Sequence, residues 1–296
     1  MRNLAILSIA LMLAACGGPA KNSDKDKESA VVSVSIAPYK YFVEAIGGDD
    51  FDVNIMVPAG ASPHTYEPTM AQIQALSGSL AYISNGYLDF ELAWLYRFYE
   101  VNPAMKIISF ANNQELLYAK AWQHDDHMHY DGVDPHFWIS PKSAYRIASD
   151  LKGLLSELKP SSAAVYEENY TRLVAEIAAL DDEVNKMLAQ YASRSFMIYH
   201  PVLGYFARDY DLQQIAVEHE GKEPSPGALK SLVDNARGLG IKTIFVQPEF
   251  DRKNAEVIAA EISAVVVTID PLSADWPGSI RGIAAALAAG FADIQQ

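Results

Sequence analysis

The spacing of apolar positions changes character several times along this chain, and each change marks an element. Val31 to Ile36 is a β-branched run read as a strand. Pro38 to Ile46 suits a helix closed by Gly47 and Gly48, and Phe51 to Val57 alternates as a half-buried strand does. Thr69 followed by Gln72 forms a capping box that opens a helix through Leu76. Leu80 to Ser84 reads as a short strand, Asn85-Gly86 as a turn, and Ser140-Pro141 as the cap of a helix reaching Leu158.

Beyond Pro160 the period becomes long and uniform. Tyr166, Tyr170, Leu173, Ile177, Leu180, Val184, Met187 and Tyr191 recur at steps of three and four, with neither Gly nor Pro between them. This predicts one amphipathic helix on the order of 30 residues, about 45 Å long at 1.5 Å per residue. After it, Ser195–Tyr199, Leu212–Val217, Ile241–Gln247 and Ala264–Ile269 read as buried strands, with helices over Gly227–Leu239 and Asn254–Ile262 between them. Strands alternating with helices imply parallel sheets. The fold class is therefore α/β: two lobes with parallel sheets flanked by helices, joined by one long rigid helix. The expected division is 31–159 for the N-terminal lobe, 160–192 for the connecting helix and 193–296 for the C-terminal lobe.

Composition refines this picture at the N-terminus. Residues 1–15 have a basic start at Arg2, an apolar run from Leu4 to Leu13 and two small residues, the layout of a secretory signal peptide. The run is too short for a stable membrane span, and no second run is long enough to cross a bilayer. Leu13-Ala14-Ala15-Cys16-Gly17 has the form of a bacterial lipobox, which predicts cleavage before Cys16, lipidation of its sulfur and a tether over 16–30. Cys16 is the only cysteine, so the domain is held by its core without an internal disulfide. These features predict a membrane-anchored lipoprotein of the cell envelope, facing the periplasm or cell exterior. A formal charge of −14 argues against nucleic acid as a partner and is compatible with a cationic ligand.

Candidate chemistry lies in the histidines. His64 sits in Ser62-Pro63-His64, His136 in Asp134-Pro135-His136 and His200 in Tyr199-His200-Pro201. Asp270, in Ile269-Asp270-Pro271, has the same placement after the last strand. Each is bonded directly to a proline, which stiffens its loop and reduces the ordering entropy of a site built from four separate segments. Ligands of parallel α/β sheets bind beyond the carboxyl ends of the strands, where His200 and Asp270 fall. Three imidazoles and one carboxylate suit a tetrahedral zinc ion between the lobes, although the wide spacing gives no local metal motif.

The same residues resemble a known family, the zinc- and manganese-binding lipoproteins that capture metal for ABC importers (TroA-like, zinc-uptake solute-binding). The similarity runs through Gly60-Ala61-Ser62-Pro63-His64-Thr65-Tyr66-Glu67-Pro68-Thr69, Asn85-Gly86 with Glu91 and Trp94, and Asp134-Pro135-His136-Phe137-Trp138. It continues through His200-Pro201, Gly204-Tyr205-Phe206-Ala207, Gly221-Lys222-Glu223-Pro224 and Asp270-Pro271-Leu272. The resemblance implies a metal held by His64, His136, His200 and Asp270, with a water as the alternative to Asp270. It implies an ABC permease as partner, and a monomer anchored to the membrane lipid through Cys16. Manganese-selective relatives tend to carry Glu where this chain has His200, so the resemblance favours zinc, with manganese as the alternative.

His124, His127 and His129 look like a short version of the histidine-rich loop of zinc-type members, an auxiliary site of weak affinity. His219 reads as a surface histidine. A lipid-anchored zinc hydrolase is the rival class, but no nucleophile, oxyanion or phosphate-loop motif is present, so the expected protein is not an enzyme. Cell adhesion is a property of some relatives, and nothing in this sequence encodes a host-binding surface.

Overall fold

The computed structural model describes residues 30–294 apart from 119–121, 125–126, 130–131, 193 and 219–223. Cys16, the signal segment and His219 therefore lie outside the described residues. The N-terminal half contains β1 (Ala30–Ile36), α1 (Ala37–Gly47), β2 (Phe51–Val57), α2 (Met70–Ser77), β3 (Ala81–Ser84), α3 (Asp89–Val101) and β4 (Lys106–Ser109). A two-stranded hairpin, β5 (Trp122–His124) with β6 (His127–His129), precedes α4 (Pro141–Leu158) and the long α5 (Ala163–Ala189). The remainder holds β7 (Ser195–Ile198), α6 (Gly204–Asp209), β8 (Gln213–Ala216), α7 (Pro226–Gly238), β9 (Thr243–Val246), α8 (Arg252–Ile262), β10 (Val265–Thr268) and α9 (Trp276–Ile294).

Both four-stranded sheets are parallel, ordered β2-β1-β3-β4 and β10-β9-β7-β8. The predicted α/β class, with a long helix joining two lobes, is what the chain adopts. Local chemistry explains the helix starts. The Thr69 hydroxyl accepts from Gln72 N while Gln72 Oε1 accepts from Thr69 N, the predicted capping box. Ser140 accepts from Ser143 N with Pro141 in the first turn, and Ser225 and Pro226 repeat that arrangement at α7.

The predicted spine is real but shorter. α5 spans 27 residues, and Pro160–Ser162 ahead of it form a separate 3-10 turn. It buries Tyr166, Leu173, Ile177, Leu180, Val184 and Leu188 along one stripe. Its cover includes α9, which the sequence reading left unassigned: Phe291 meets Tyr191 at 6.0 Å, and Trp276 lies 5.0 Å from Phe42 of α1. The last helix thus packs on the first lobe as well as on its own. The segment with His124, His127 and His129, expected as a histidine-rich loop, pairs as an antiparallel hairpin with His124 opposite His127 and Trp122 opposite His129. Among the described residues no helix is long and apolar enough to cross a membrane.

Two buried indoles fasten the lobes. Trp138 Nε1 donates to the Pro271 carbonyl at 2.9 Å, and Trp276 Nε1 donates to the Trp138 carbonyl at 2.7 Å. Tyr205 of α6 donates to the Asp134 carbonyl at 2.7 Å and accepts from Leu117 N at 2.9 Å. A buried indole N–H without a partner is costly, so these bonds fix how the segment around His136 meets the second lobe.

Candidate metal centre

Three loops from distant parts of the chain converge on one point. His64 lies in the turn after β2, where Thr65 N donates to the Ser62 carbonyl and Phe90 N to the Pro63 carbonyl. His136 follows Pro135 and caps a 3-10 turn, Phe137–Ile139. His200 follows β7, and Gln247 Nε2 donates to its carbonyl at 2.8 Å.

The geometry at that point suits a cation. His64 Nε2 is 3.1 Å from His200 Nε2, which is 3.3 Å from His136 Nε2. The three ligand atoms all lie within 4.8 Å of one another. The enclosing pocket has free space of about 20 Å³, close to the volume needed for one small body. His136 and His200 are buried, whereas the His64 side chain keeps 28 % of its surface exposed.

Each imidazole faces a carboxylate with its other nitrogen. His64 Nδ1 is 2.7 Å from Asp89, His136 Nδ1 is 2.7 Å from Asp134, and His200 Nδ1 is 3.5 Å from Glu218. A neutral imidazole donating through Nδ1 must carry its lone pair on Nε2, so Asp89 and Asp134 aim the Nε2 atoms of His64 and His136 at the centre. The His200 pair is the loosest of the three, beyond good hydrogen-bond length. Burial pushes the pKa values of His64 and His200 below the ordinary 6.5, more than their carboxylates raise them. Neutral, metal-ready rings follow at neutral pH.

Behind this trio, Glu91 organises two of the loops from within the core. Its buried carboxylate accepts from Asn85 N at 2.7 Å, Gly86 N at 2.6 Å, Tyr82 OH at 3.3 Å and the Ser35 hydroxyl. Asn85 Nδ2 then donates to the Pro135 carbonyl at 2.9 Å, tying the turn that leads into α3 and Asp89 to the segment that carries His136. Gly86 has φ +111°, and a Cβ there would run into Ser109, so the turn requires glycine.

Asp270 does not join the three histidines. It is exposed, and its Oδ1 accepts from Leu272 N at 3.0 Å. Its strand, β10, is the edge of the second sheet, whereas the order reverses between β7 and β9. Clefts open at such a reversal, and the segments after β7, β9 and β10 all reach the pocket, the last through Pro271 and Leu272. Gln247, Glu249 and Phe250 line the pocket there.

Sequence reasoning missed the supporting carboxylates as functional groups. Asp134 sits in a motif already quoted, two residues before His136, and Glu218 directly precedes His219. Asp89 gave no local signal, being far from His64 in sequence. Glu249 carried the signature used elsewhere, since it follows a strand and is bonded to Pro248. The side chains of His124, His127 and His129 lie outside the described residues.

Two α/β lobes sharing a long helix, with three imidazoles converging at one point, define a two-lobed protein with a candidate metal site. The chain belongs to the family described as zinc-uptake complex component A, periplasmic, whose model matches residues 32–290. A crystal structure of ZnuA superimposes with a TM-score of 0.83 at 38% identity, covering 89% of this chain and 100% of that one. A ZnuA deletion mutant with zinc bound gives the same TM-score and identity. Curated relatives include the zinc-binding protein AdcA of Streptococcus pyogenes, 25% identical over 260 residues, or 81% of this chain. The chain spans about half the length of that relative, 50%. The high-affinity zinc uptake system protein ZnuA of Bacillus subtilis is 24% identical over 276 residues, covering 89% of this chain and 86% of that protein.

Proposed function

We propose that this protein captures Zn(II) between its lobes through His64, His136 and His200 and delivers it to an ABC importer. The observation that carries the reading is the convergence of three Nε2 atoms, each ring backed by a carboxylate at Nδ1. Nitrogen donors favour zinc over manganese, which takes more oxygen ligands and higher coordination. Relatives named for zinc binding and zinc uptake support the same cargo.

In this reading zinc is cargo and the protein is a carrier, not an enzyme. Processing at Cys16 would leave it lipid-anchored in the envelope, as befits a relative named a zinc-binding lipoprotein. The hairpin histidines 124, 127 and 129 would hold further zinc weakly, ahead of transfer to the tight site. The protein would act as a monomer docking on the permease.

The test is metal analysis of the gently purified mature protein, followed by thermal unfolding with and without zinc. Ligand binding to the folded state alone raises the melting temperature by mass action. His64→Ala should abolish most of that rise. A variant that binds zinc as tightly as the parent refutes the assignment, and a manganese preference in direct competition refutes the choice of metal.

A further inference from the structure

The three histidine rings are not held alike. His64 Nδ1 and His136 Nδ1 each lie 2.7 Å from a carboxylate oxygen. His200 Nδ1 is buried, stands 3.5 Å from Glu218 and has no hydrogen-bond partner among the described residues. The torsion that sets the plane of a histidine ring has only a broad preference of its own. Another group must therefore orient His200 if its Nε2 is to meet the other two. We propose that Phe250 is that positioning residue: it fixes the plane of the His200 imidazole by stacking and holds it more firmly once the ring binds zinc. The proposal rests on the three histidines being the zinc site.

Ring geometry is the first support. The Phe250 and His200 centroids are 4.9 Å apart, with 19° between the ring planes. Every other ring contact of the three histidines is steep. Trp138 meets His136 at 58°, and the histidines meet one another at 59°, 66° and 78°. Among the described residues, Phe250 is the one ring that lies parallel to a histidine.

The backbone around Phe250 is built to hold that pose. Phe250 N donates to the Gln247 carbonyl at 3.2 Å, closing a turn through Pro248 and Glu249. Proline is favoured at the second position of such a turn because its φ is already set. Gln247, 2 % exposed, donates Nε2 to the His200 carbonyl at 2.8 Å. One four-residue turn thus grips His200 twice, by its main chain through Gln247 and by its ring through Phe250. Tyr199, the residue before His200, packs on Phe250 at 5.6 Å and adds a further wall.

Electrostatics makes the stack count toward affinity and not only toward folding. An imidazole that gives its Nε2 lone pair to a divalent cation becomes electron-poor. The face of a phenyl ring carries the negative end of its quadrupole and attracts positive charge placed over it. The Phe250–His200 contact is therefore stronger with metal bound than without. A leucine at the same position fills space but offers no such face.

The test uses the full mature protein with Phe250→Leu and Phe250→Tyr, against the parent and His64→Ala. Zinc affinity is read by competition with a chromophoric chelator, and Co(II) replaces zinc for absorption spectroscopy of the ligand field. Phe250→Leu should bind zinc about two- to tenfold more weakly, the range spanned by an aromatic stack. Its cobalt spectrum should shift, and Phe250→Tyr should restore both readouts. A merely structural side chain would lower the metal-free melting temperature and leave the cobalt spectrum unchanged. In the metal-free parent, ring current from Phe250 should move the His200 ring protons upfield of those of His64 in the NMR spectrum. Ordinary shifts there overturn the stack without any variant. Parent-like affinity or an unshifted cobalt spectrum in Phe250→Leu overturns the proposal, as does failure of Phe250→Tyr to restore them. Retention of zinc by His64→Ala would instead overturn the underlying site, so the two failures are distinguishable.

Discussion

Replacing Asp134 with Asn is the sharpest test of how the site is aimed. Asp134 Oδ1 accepts from His136 Nδ1 at 2.7 Å and from His136 N at 2.9 Å. The pair is shielded: the histidine side chain is 7 % exposed and the aspartate 19 %. Asn keeps the shape but removes the charge, and its amide can present a donor to Nδ1. A donor there moves the ring proton to Nε2 and removes the lone pair that zinc needs. Loss of such a partner weakens metal binding by about tenfold to a hundredfold. That is about 1.4 to 2.7 kcal/mol. Asp89 makes an equally short bond to His64, but its side chain is 60 % exposed. An exposed pair contributes about 0–1 kcal/mol. Asp89→Asn should therefore cost no more than about fivefold. Zinc competition titration at neutral pH compares the two, with the metal-free melting temperature as a control for folding. Equal losses, or an unchanged affinity in Asp134→Asn, would refute the argument that burial makes the carboxylate decisive.

Burial lowers the pKa values of His64 and His200, so zinc binding should hold nearly level down to the ordinary imidazole range and weaken only below it. The same shift means the unfolded chain binds protons more readily. Metal-free stability is then fully present above about pH 6.5 and lost as pH falls through the folded values, read from urea midpoints across pH. A midpoint that rises on acidification contradicts this sign. Glu91→Ala leaves the Asn85 and Gly86 N–H groups without their acceptor, at a cost of about 1–3 kcal/mol each. A change below about 0.5 kcal/mol in urea unfolding, the range of neutral surface substitutions, would show that water replaces the carboxylate freely. Deleting 124–129 should leave tight zinc binding intact while lowering the number of weakly held ions in equilibrium dialysis. Loss of the tight site would mean that this hairpin contributes a ligand.

The sequence by itself determined the α/β class, the spine and the three histidines. These depend on local quantities: the apolar period of residues 166–191, the caps at Thr69 and Ser140, and prolines bonded to His64, His136 and His200. Helix ends slipped where backbone geometry outweighed pattern, as at Pro160, which began a tight turn instead of the long helix. Only the tertiary structure decided which groups stand behind the imidazoles. Asp89 reaches His64 because Glu91 and Gly86 fold one turn against the core, a contact that no spacing encodes. Asp270 and Glu249 carry the same proline-bonded signature, yet one leaves an edge strand and the other a strand beside the reversal of the sheet. Strand order depends on long-range pairing across the whole lobe, so which loops meet at the pocket is set by topology and not by any residue's neighbours.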